Sequence, residues 1–186
     1  MKNITIPTFL TLFRIAVIPA VVGCLFWHHP LSEILAAFLF TLACITDFLD
    51  GYMARTLDQT TSFGAFLDPL ADKLLISSSL LMLAGTHKIT GFHLIAACII
   101  LCREILVSGL REFLANVHVV MPVTKLAKWK TSVQMIAIGL LILGNPLPYI
   151  PFPFMGLVGL WIAALLTLMT GYDYVRHHLH YLLETK

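Results

Sequence analysis

Long apolar stretches, separated by short polar segments, occupy almost the whole chain. They lie near residues 8–28, 32–54, 69–86, 91–114, 129–145 and 151–175. Since a helix needs about 20 mostly apolar residues to cross a bilayer, this pattern predicts an all-α polytopic membrane protein with six transmembrane helices. The stretches leave no room for a soluble domain, so we expect residues 1–186 to form a single membrane domain.

The composition agrees with this reading. Of the 186 residues, 59% are hydrophobic and only 12% are charged, whereas a soluble domain carries about 25% charged residues. The mean hydropathy is +0.89. The net charge of +2 gives no reason to expect a nucleic-acid partner; the partner that the composition implies is membrane lipid.

The basic residues predict an orientation. With a cytoplasmic N-terminus and six spans, eleven of the twelve Lys and Arg residues lie at or near the cytoplasmic side, and Lys88 alone lies opposite. Short cytoplasmic loops carry such an excess of basic residues. We therefore expect both termini to be cytoplasmic.

Four carboxylates interrupt this apolar background within one short window. Asp47 and Asp50 lie three positions apart near the end of the second stretch, and Asp68 and Asp72 lie four apart at the start of the third. Each pair shares one helical face, and both pairs fall at the same predicted depth. The four acids should therefore meet near the cytoplasmic interface.

Charged groups are costly near lipid and mark functional sites. Carboxylate oxygens favour hard divalent cations, so we expect Mg2+ or Mn2+, with two ions, at this site. Such ions could hold a pyrophosphate and stabilise a departing phosphate. Gly51 and Gly64 would permit close backbone approach, and Arg55 could clamp a phosphate. The alternative is a structural network in which these helix-end carboxylates pair with Arg55 and Lys73.

The complete pattern is Asp47-x2-Asp50-Gly51-x2-Ala54-Arg55-x8-Gly64-x3-Asp68-x3-Asp72. It resembles the signature of the CDP-alcohol phosphotransferase family at every position. The resemblance implies six spans, a homodimer, and transfer of a substituted phosphate from a CDP-linked donor to an alcohol with release of CMP. It also implies a bacterial cytoplasmic membrane with the active site at the cytoplasmic side.

The resemblance also assigns roles to individual residues. Asp47, Asp50, Asp68 and Asp72 match the metal-binding acids, and Asp72 matches the general base that deprotonates the attacking hydroxyl. A second group matches the region that holds the CDP part of the donor, CDP-diacylglycerol: Asp47, Gly51, Ala54, Arg55 and Gly64.

A second polar region suggests the acceptor. Arg111 lies near the cytoplasmic end of the fourth stretch, and Lys125 and Lys128 share one face at the start of the fifth. Together they could bind a phosphate, although anchoring of helix ends also explains such residues. These segments and residues 6–14 resemble the branch of the family that uses glycerol 3-phosphate, although Thr8 stands where relatives commonly carry Asn.

Other readings stay open from the sequence. Within the family, cardiolipin, phosphatidylserine and inositol-phosphate synthases use other acceptors. An ion-coupled transporter also places carboxylates in the membrane, but they should then line a path across the bilayer. A membrane prenyltransferase also combines aspartates with Mg2+, but its motifs lack the glycine and Ala-Arg positions found here.

Overall fold

The chain folds entirely into helices and short connections wherever the structure describes it. The computed structural model describes the backbone of residues 6–57, 62–116, 125–147 and 149–184, and most side chains of residues 50–63, 115–128 and 173–184 lie outside the description. The helices are α1 (Ile6–Phe26), α2 (Pro30–Leu57), α3 (Ser62–Gly85), α4 (His93–Asn116), α5 (Lys125–Leu143) and α6 (Phe152–Glu184). The all-α prediction is confirmed, because these ranges contain no strand.

Four of the helices are long and apolar enough to cross a membrane: α1 over Thr8–Phe26, α2 over Pro30–Asp47, α4 over His93–Leu114 and α6 over Phe152–Tyr172. In α5 the apolar part, Trp129–Leu143, is shorter. In α3, Asp68, Asp72 and Lys73 interrupt the first half of the helix. The protein is therefore a multi-pass membrane protein; of the six helices in the described ranges, four meet the length and hydropathy of a span.

The start of α3 differs from the prediction. The apolar stretches 32–54 and 69–86 predict helix ends near residues 54 and 69, but α2 continues to Leu57 and α3 already begins at Ser62. Pro69 therefore lies inside α3. Residues 55–57 and 62–67 lie outside the apolar stretches but are helical, so hydropathy alone placed these helix ends wrongly.

The helices pack into a bundle in which sequential neighbours run in opposite directions. In this bundle α1 packs on α2 and α3, α5 packs on α6 and α2, and α4 packs on α6. Small and large side chains alternate in the core, with Ala36, Phe40 and Ala43 of α2 buried close to Ile138 and Leu141 of α5. Many large apolar side chains point outward, as expected of helices that face lipid.

An ion pair joins three elements at the end of the bundle remote from the aspartates. Lys88 Nζ lies 2.8 Å from Glu33 Oε2 at the start of α2 and donates a hydrogen bond to the carbonyl oxygen of Ile142 at 2.9 Å. Gly144 follows α5 with φ of +67°, and a Cβ there would lie 2.6 Å from Glu33 Oε2. Lys88 is thus at the opposite end from the acids, as the charge pattern predicted.

Two glycines let α6 approach α5 closely. A methyl group on Gly156 would lie 2.7 Å from Leu141 Cγ and 3.2 Å from the carbonyl oxygen of Ala137, and one on Gly159 would lie 3.0 Å from Ala137 Cβ. Small residues at helix contacts replace the hydrophobic driving force that lipid removes. These glycines therefore set the distance between α5 and α6 within one chain.

We expect Gly156→Ala to destabilise the fold by about 1–3 kcal/mol, because the added methyl group overpacks the contact with α5. The matched control is Gly23→Ala, where a Cβ meets nothing within 4 Å, so helix propensity alone should make that variant neutral or more stable. Thermal unfolding in detergent measures both. Equal melting temperatures for the two variants would contradict this account of the α5–α6 contact.

Candidate active site

Three of the predicted acids lie in the second half of α2 and the first half of α3, the two helices that α1 packs against. Asp47 belongs to α2, and Asp68 and Asp72 belong to α3; all three side chains are half-buried. Asp47 interacts electrostatically with Asp68, and Asp72 interacts with Asp47. Three of the four predicted metal ligands therefore lie within electrostatic range of one another, while the side chain of Asp50 lies outside the described residues.

Helix α1 supplies one partner to Asp47 on α2 and one to Asp68 on α3. Arg14 is fully buried, with 0% of its side chain exposed, and its guanidinium lies 2.6 Å from Asp47 Oδ1. The hydroxyl of Thr11 donates a hydrogen bond to Asp68 Oδ1. Because Thr11 and Arg14 are three positions apart, they share the face of α1 that is turned to the acids. Thus α1 fixes the position of α2 relative to α3.

These contributions of α1 were not predicted from the sequence. Arg14 was counted only among the basic residues that indicate the orientation, and Thr11 was given no role. The missed signal is a stripe of polar residues, Thr8, Thr11 and Arg14, at intervals of three in an otherwise apolar helix. All three are at most 5% exposed. Such a stripe indicates a buried polar face rather than an interface with water.

A second charged network lies on the other side of Asp72. Glu104 of α4 accepts a hydrogen bond from the ammonium of Lys130 of α5 and lies 3.5 Å from the Arg103 guanidinium. Arg103 also donates to Thr170 Oγ1 of α6 at 3.2 Å. Asp72 interacts electrostatically with both Glu104 and Lys130. This network joins α4, α5 and α6 and acts electrostatically on Asp72. The sequence marked the two segments that contain Glu104 and Lys130 as informative, but it did not predict this pairing.

For the other predicted site residues, the structure gives the exposure of two and only the helix position of five. Gly64 is buried in the first turn of α3, and the side chain of Arg111 is exposed on α4. Gly51, Ala54 and Arg55 belong to the last turns of α2, and Lys125 and Lys128 to the first turn of α5. The side chains of these five residues lie outside the description, so their predicted roles stay predictions.

The donor chemistry of the acid cluster fits a hard divalent cation, because it presents carboxylate oxygens from two helices. Among the described side chains, no group of three or more His, Cys, Asp and Glu residues is gathered closely enough to hold a metal ion. One oxygen of Asp47 contacts Arg14, and one of Asp68 accepts from Thr11. Each carboxylate has a second oxygen, so these partners leave donors for a cation.

Comparison with known proteins identifies the class of protein that this arrangement belongs to. A family model, CDP-alcohol phosphatidyltransferase, matches residues 4–169. The chain therefore belongs to the CDP-alcohol phosphatidyltransferase family, and the family predicted from the aspartate motif is confirmed. Members of this family generally depend on a divalent metal.

Several curated relatives within the family carry the name of one particular enzyme. A CDP-diacylglycerol–glycerol-3-phosphate 3-phosphatidyltransferase of Rickettsia bellii is 48% identical over 92% of this chain and 93% of its own length. Proteins with the same name from Cereibacter sphaeroides and Bacillus subtilis are each 38% identical. The first alignment covers 99% of this chain and 100% of the relative, and the second covers 91% and 92%.

We expect Arg14→Gln to lower the free energy of unfolding by about 2–3 kcal/mol. Removing one partner of a buried ion pair costs about 3–5 kcal/mol, and the cost is smaller here because 34% of the Asp47 side chain is exposed. The double variant Arg14→Gln/Asp47→Asn should recover most of the loss, since no charge is then left without its partner. Thermal unfolding in detergent checks both.

The control for this pair is Arg176→Gln, because Arg176 is exposed on α6 and should tolerate the change. If the losses of the two single variants simply add in the double variant, the ion pair does not stabilise the fold as we describe.

Proposed function

We propose that this protein transfers the phosphatidyl group from CDP-diacylglycerol to sn-glycerol 3-phosphate, giving phosphatidylglycerophosphate and CMP. The observation that carries the proposal is that Asp47, Asp68 and Asp72 lie within electrostatic range of one another at one end of the bundle. The identity of 48% to the Rickettsia bellii enzyme, over 92% of the chain, supports the same activity. Clustering at one end also argues against an ion path across the bilayer.

The proposed setting is the bacterial cytoplasmic membrane. Residues 1–186 form one domain of six spans with both termini in the cytoplasm, so that the acids face cytosolic water and the lipid headgroups. The position of Lys88 at the opposite end, paired with Glu33, supports this orientation because the remaining basic residues then lie on the cytoplasmic side. The active form is a homodimer.

The donor is held by the end of α2 and the start of α3. Asp47, Gly51, Ala54, Arg55 and Gly64 hold the CDP portion of CDP-diacylglycerol. Gly64 is buried, which supports a close approach of the backbone at this point. The ion pair with Arg14 holds the Asp47 side chain in position, so its other carboxylate oxygen is preorganised to bind the donor.

Asp47, Asp50, Asp68 and Asp72 would hold the divalent cations, two Mg2+ or Mn2+ ions. When bound, these ions neutralise the pyrophosphate and stabilise the phosphate of the leaving CMP. Thr11 and Arg14 hold Asp68 and Asp47 in place, which limits the reorganisation needed when the site is loaded.

Asp72 acts as the general base. Its carboxylate accepts the proton of the glycerol 1-hydroxyl, whose oxygen forms a bond to the phosphorus that carries the diacylglycerol group. The bond from that phosphorus to the CMP oxygen breaks, and CMP leaves with the electron pair. Arg111, Lys125 and Lys128 attract the phosphate of the acceptor. A direct in-line displacement needs no covalent intermediate on an aspartate.

We expect purified protein with CDP-diacylglycerol and Mg2+ or Mn2+ to release CMP only when glycerol 3-phosphate is added. Asp72→Asn should reduce this rate by about 10²–10⁴-fold, because the general base is lost. Glu33→Gln, at the remote end of the bundle, is the control for removal of a carboxylate.

The acceptor panel decides between related functions. Release with serine, an inositol phosphate or phosphatidylglycerol in place of glycerol 3-phosphate would keep the family and change the reaction. Absence of release with every acceptor would contradict the proposal.

The metal requirement has its own test. Chelation should abolish CMP release, and added Mg2+ or Mn2+ should restore it, because the carboxylate oxygens have no other divalent counter-ion. Asp68→Asn should require a higher metal concentration for half-maximal rate than the wild type. A rate that survives complete chelation would show that the acids act without a metal.

A further inference from the structure

Lys130 is the most deeply buried lysine among the side chains that the structure describes. Only 3% of the residue is exposed, and it lies on α5 within electrostatic range of Asp72. An ammonium is seldom buried without a strong reason. Its contact with Glu104 explains how the charge is tolerated, but it does not explain why a cation is placed beside the proposed general base.

The Lys130 ammonium has unused hydrogen-bonding capacity. A lysine carries three N–H donors, and within the described part of the chain its only hydrogen-bond acceptor is Glu104. The remaining donors are therefore available to a ligand, and a phosphate oxygen is the acceptor that an ammonium binds most strongly.

An unused acceptor lies one helical turn further along α5. Gln134 is 2% exposed, and its carbonyl oxygen Oε1 has no hydrogen-bond donor among the described residues. Positions four apart share a helical face, so Gln134 lies on the same side of α5 as Lys130. Buried polar atoms are nearly always paired in proteins, and this exception has the chemistry to accept a bond from a ligand hydroxyl.

We propose that Lys130 and Gln134 form the inner part of the acceptor site. Lys130 binds the phosphate of glycerol 3-phosphate, Gln134 accepts a hydrogen bond from its 2-hydroxyl, and the 1-hydroxyl is thereby directed to Asp72. Glu104 is a positioning residue that holds the Lys130 ammonium. The inference rests on the proposed function, and it places Arg111, Lys125 and Lys128 at the outer, attracting part of the same site.

The first test compares kinetic constants for the two substrates. Lys130→Met should raise KM for glycerol 3-phosphate roughly tenfold or more, because a charge-assisted hydrogen bond is lost, with KM for CDP-diacylglycerol unchanged. Lys130→Arg should recover part of the loss. Glu104→Gln should raise the same KM but add little in the double variant with Lys130→Met, since Glu104 acts through Lys130.

Two control variants match these changes. Lys88→Met removes the lysine of the other interhelical ion pair, at the remote end of the bundle. Ser79→Ala removes another buried oxygen that lacks a partner in the described region. Both should leave KM for glycerol 3-phosphate unchanged, whatever they do to thermal stability.

The second test uses an acceptor that lacks one hydroxyl. The wild type should prefer glycerol 3-phosphate over 3-hydroxypropyl phosphate, because a site built for a hydroxyl rejects the analogue without it. Gln134→Leu should lose about three- to tenfold in kcat/KM with glycerol 3-phosphate and nothing with the analogue. Glycerol 3-phosphate should also raise the melting temperature of the wild type, and less so that of Lys130→Met.

The outcomes separate the two proposals. If the wild type releases no CMP with glycerol 3-phosphate, the proposed function fails and this inference fails with it. If the wild type is active but Lys130→Met and Gln134→Leu keep its KM, and Gln134→Leu is merely more stable, the inference alone is overturned. Should Lys130→Met not fold, Lys130→Arg and Gln134→Leu still decide. If Lys130→Arg keeps the wild-type KM for glycerol 3-phosphate and Gln134→Leu keeps the wild-type preference for glycerol 3-phosphate over 3-hydroxypropyl phosphate, the inner site is refuted.

Discussion

The fold depends on keeping charged side chains paired inside an apolar bundle. A lone carboxylate or guanidinium in such surroundings costs several kcal/mol, so each charge must be matched by one on a neighbouring helix. Arg14 reaches Asp47 from α1, and Lys130 reaches Glu104 from α5. Because these partners come from different helices, the requirement for pairing fixes the arrangement of the helices and the geometry of the acids together.

This coupling explains which features could be predicted from the sequence. The number of helices in the described ranges follows from the apolar stretches, and the electrostatic proximity of Asp47 to Asp68 and Asp72 agrees with their spacing and common predicted depth. Helix ends were predicted less well: the apolar stretches end near residue 54 and resume near residue 69, whereas α2 runs to Leu57 and α3 starts at Ser62. Polar helical turns beyond an apolar stretch have the composition of a loop, so hydropathy does not distinguish them.

The polar contacts between helices could not be predicted from the sequence, because their partners are far apart in the chain. Glu104 and Lys130 are 26 positions apart, and Thr11 and Asp68 are 57 apart. Nothing local in the chain indicates that such residues meet. Only the buried stripe of α1 carried a usable signal, because three polar residues at helical spacing in an apolar helix need a common partner. The roles of Lys130 and Gln134 became visible only once their burial was known.

Pro69 weakens α3 locally, close to Asp68 and Asp72. Proline has no N–H, so the carbonyl four residues earlier lacks its helical donor, and the helix is weakest at that point. Asp68 lies immediately before this weak point and Asp72 lies one turn beyond it. The two carboxylates are therefore mounted on segments that can bend relative to each other. The distance between the two carboxylates is therefore less rigidly fixed than the same spacing would be in an uninterrupted helix.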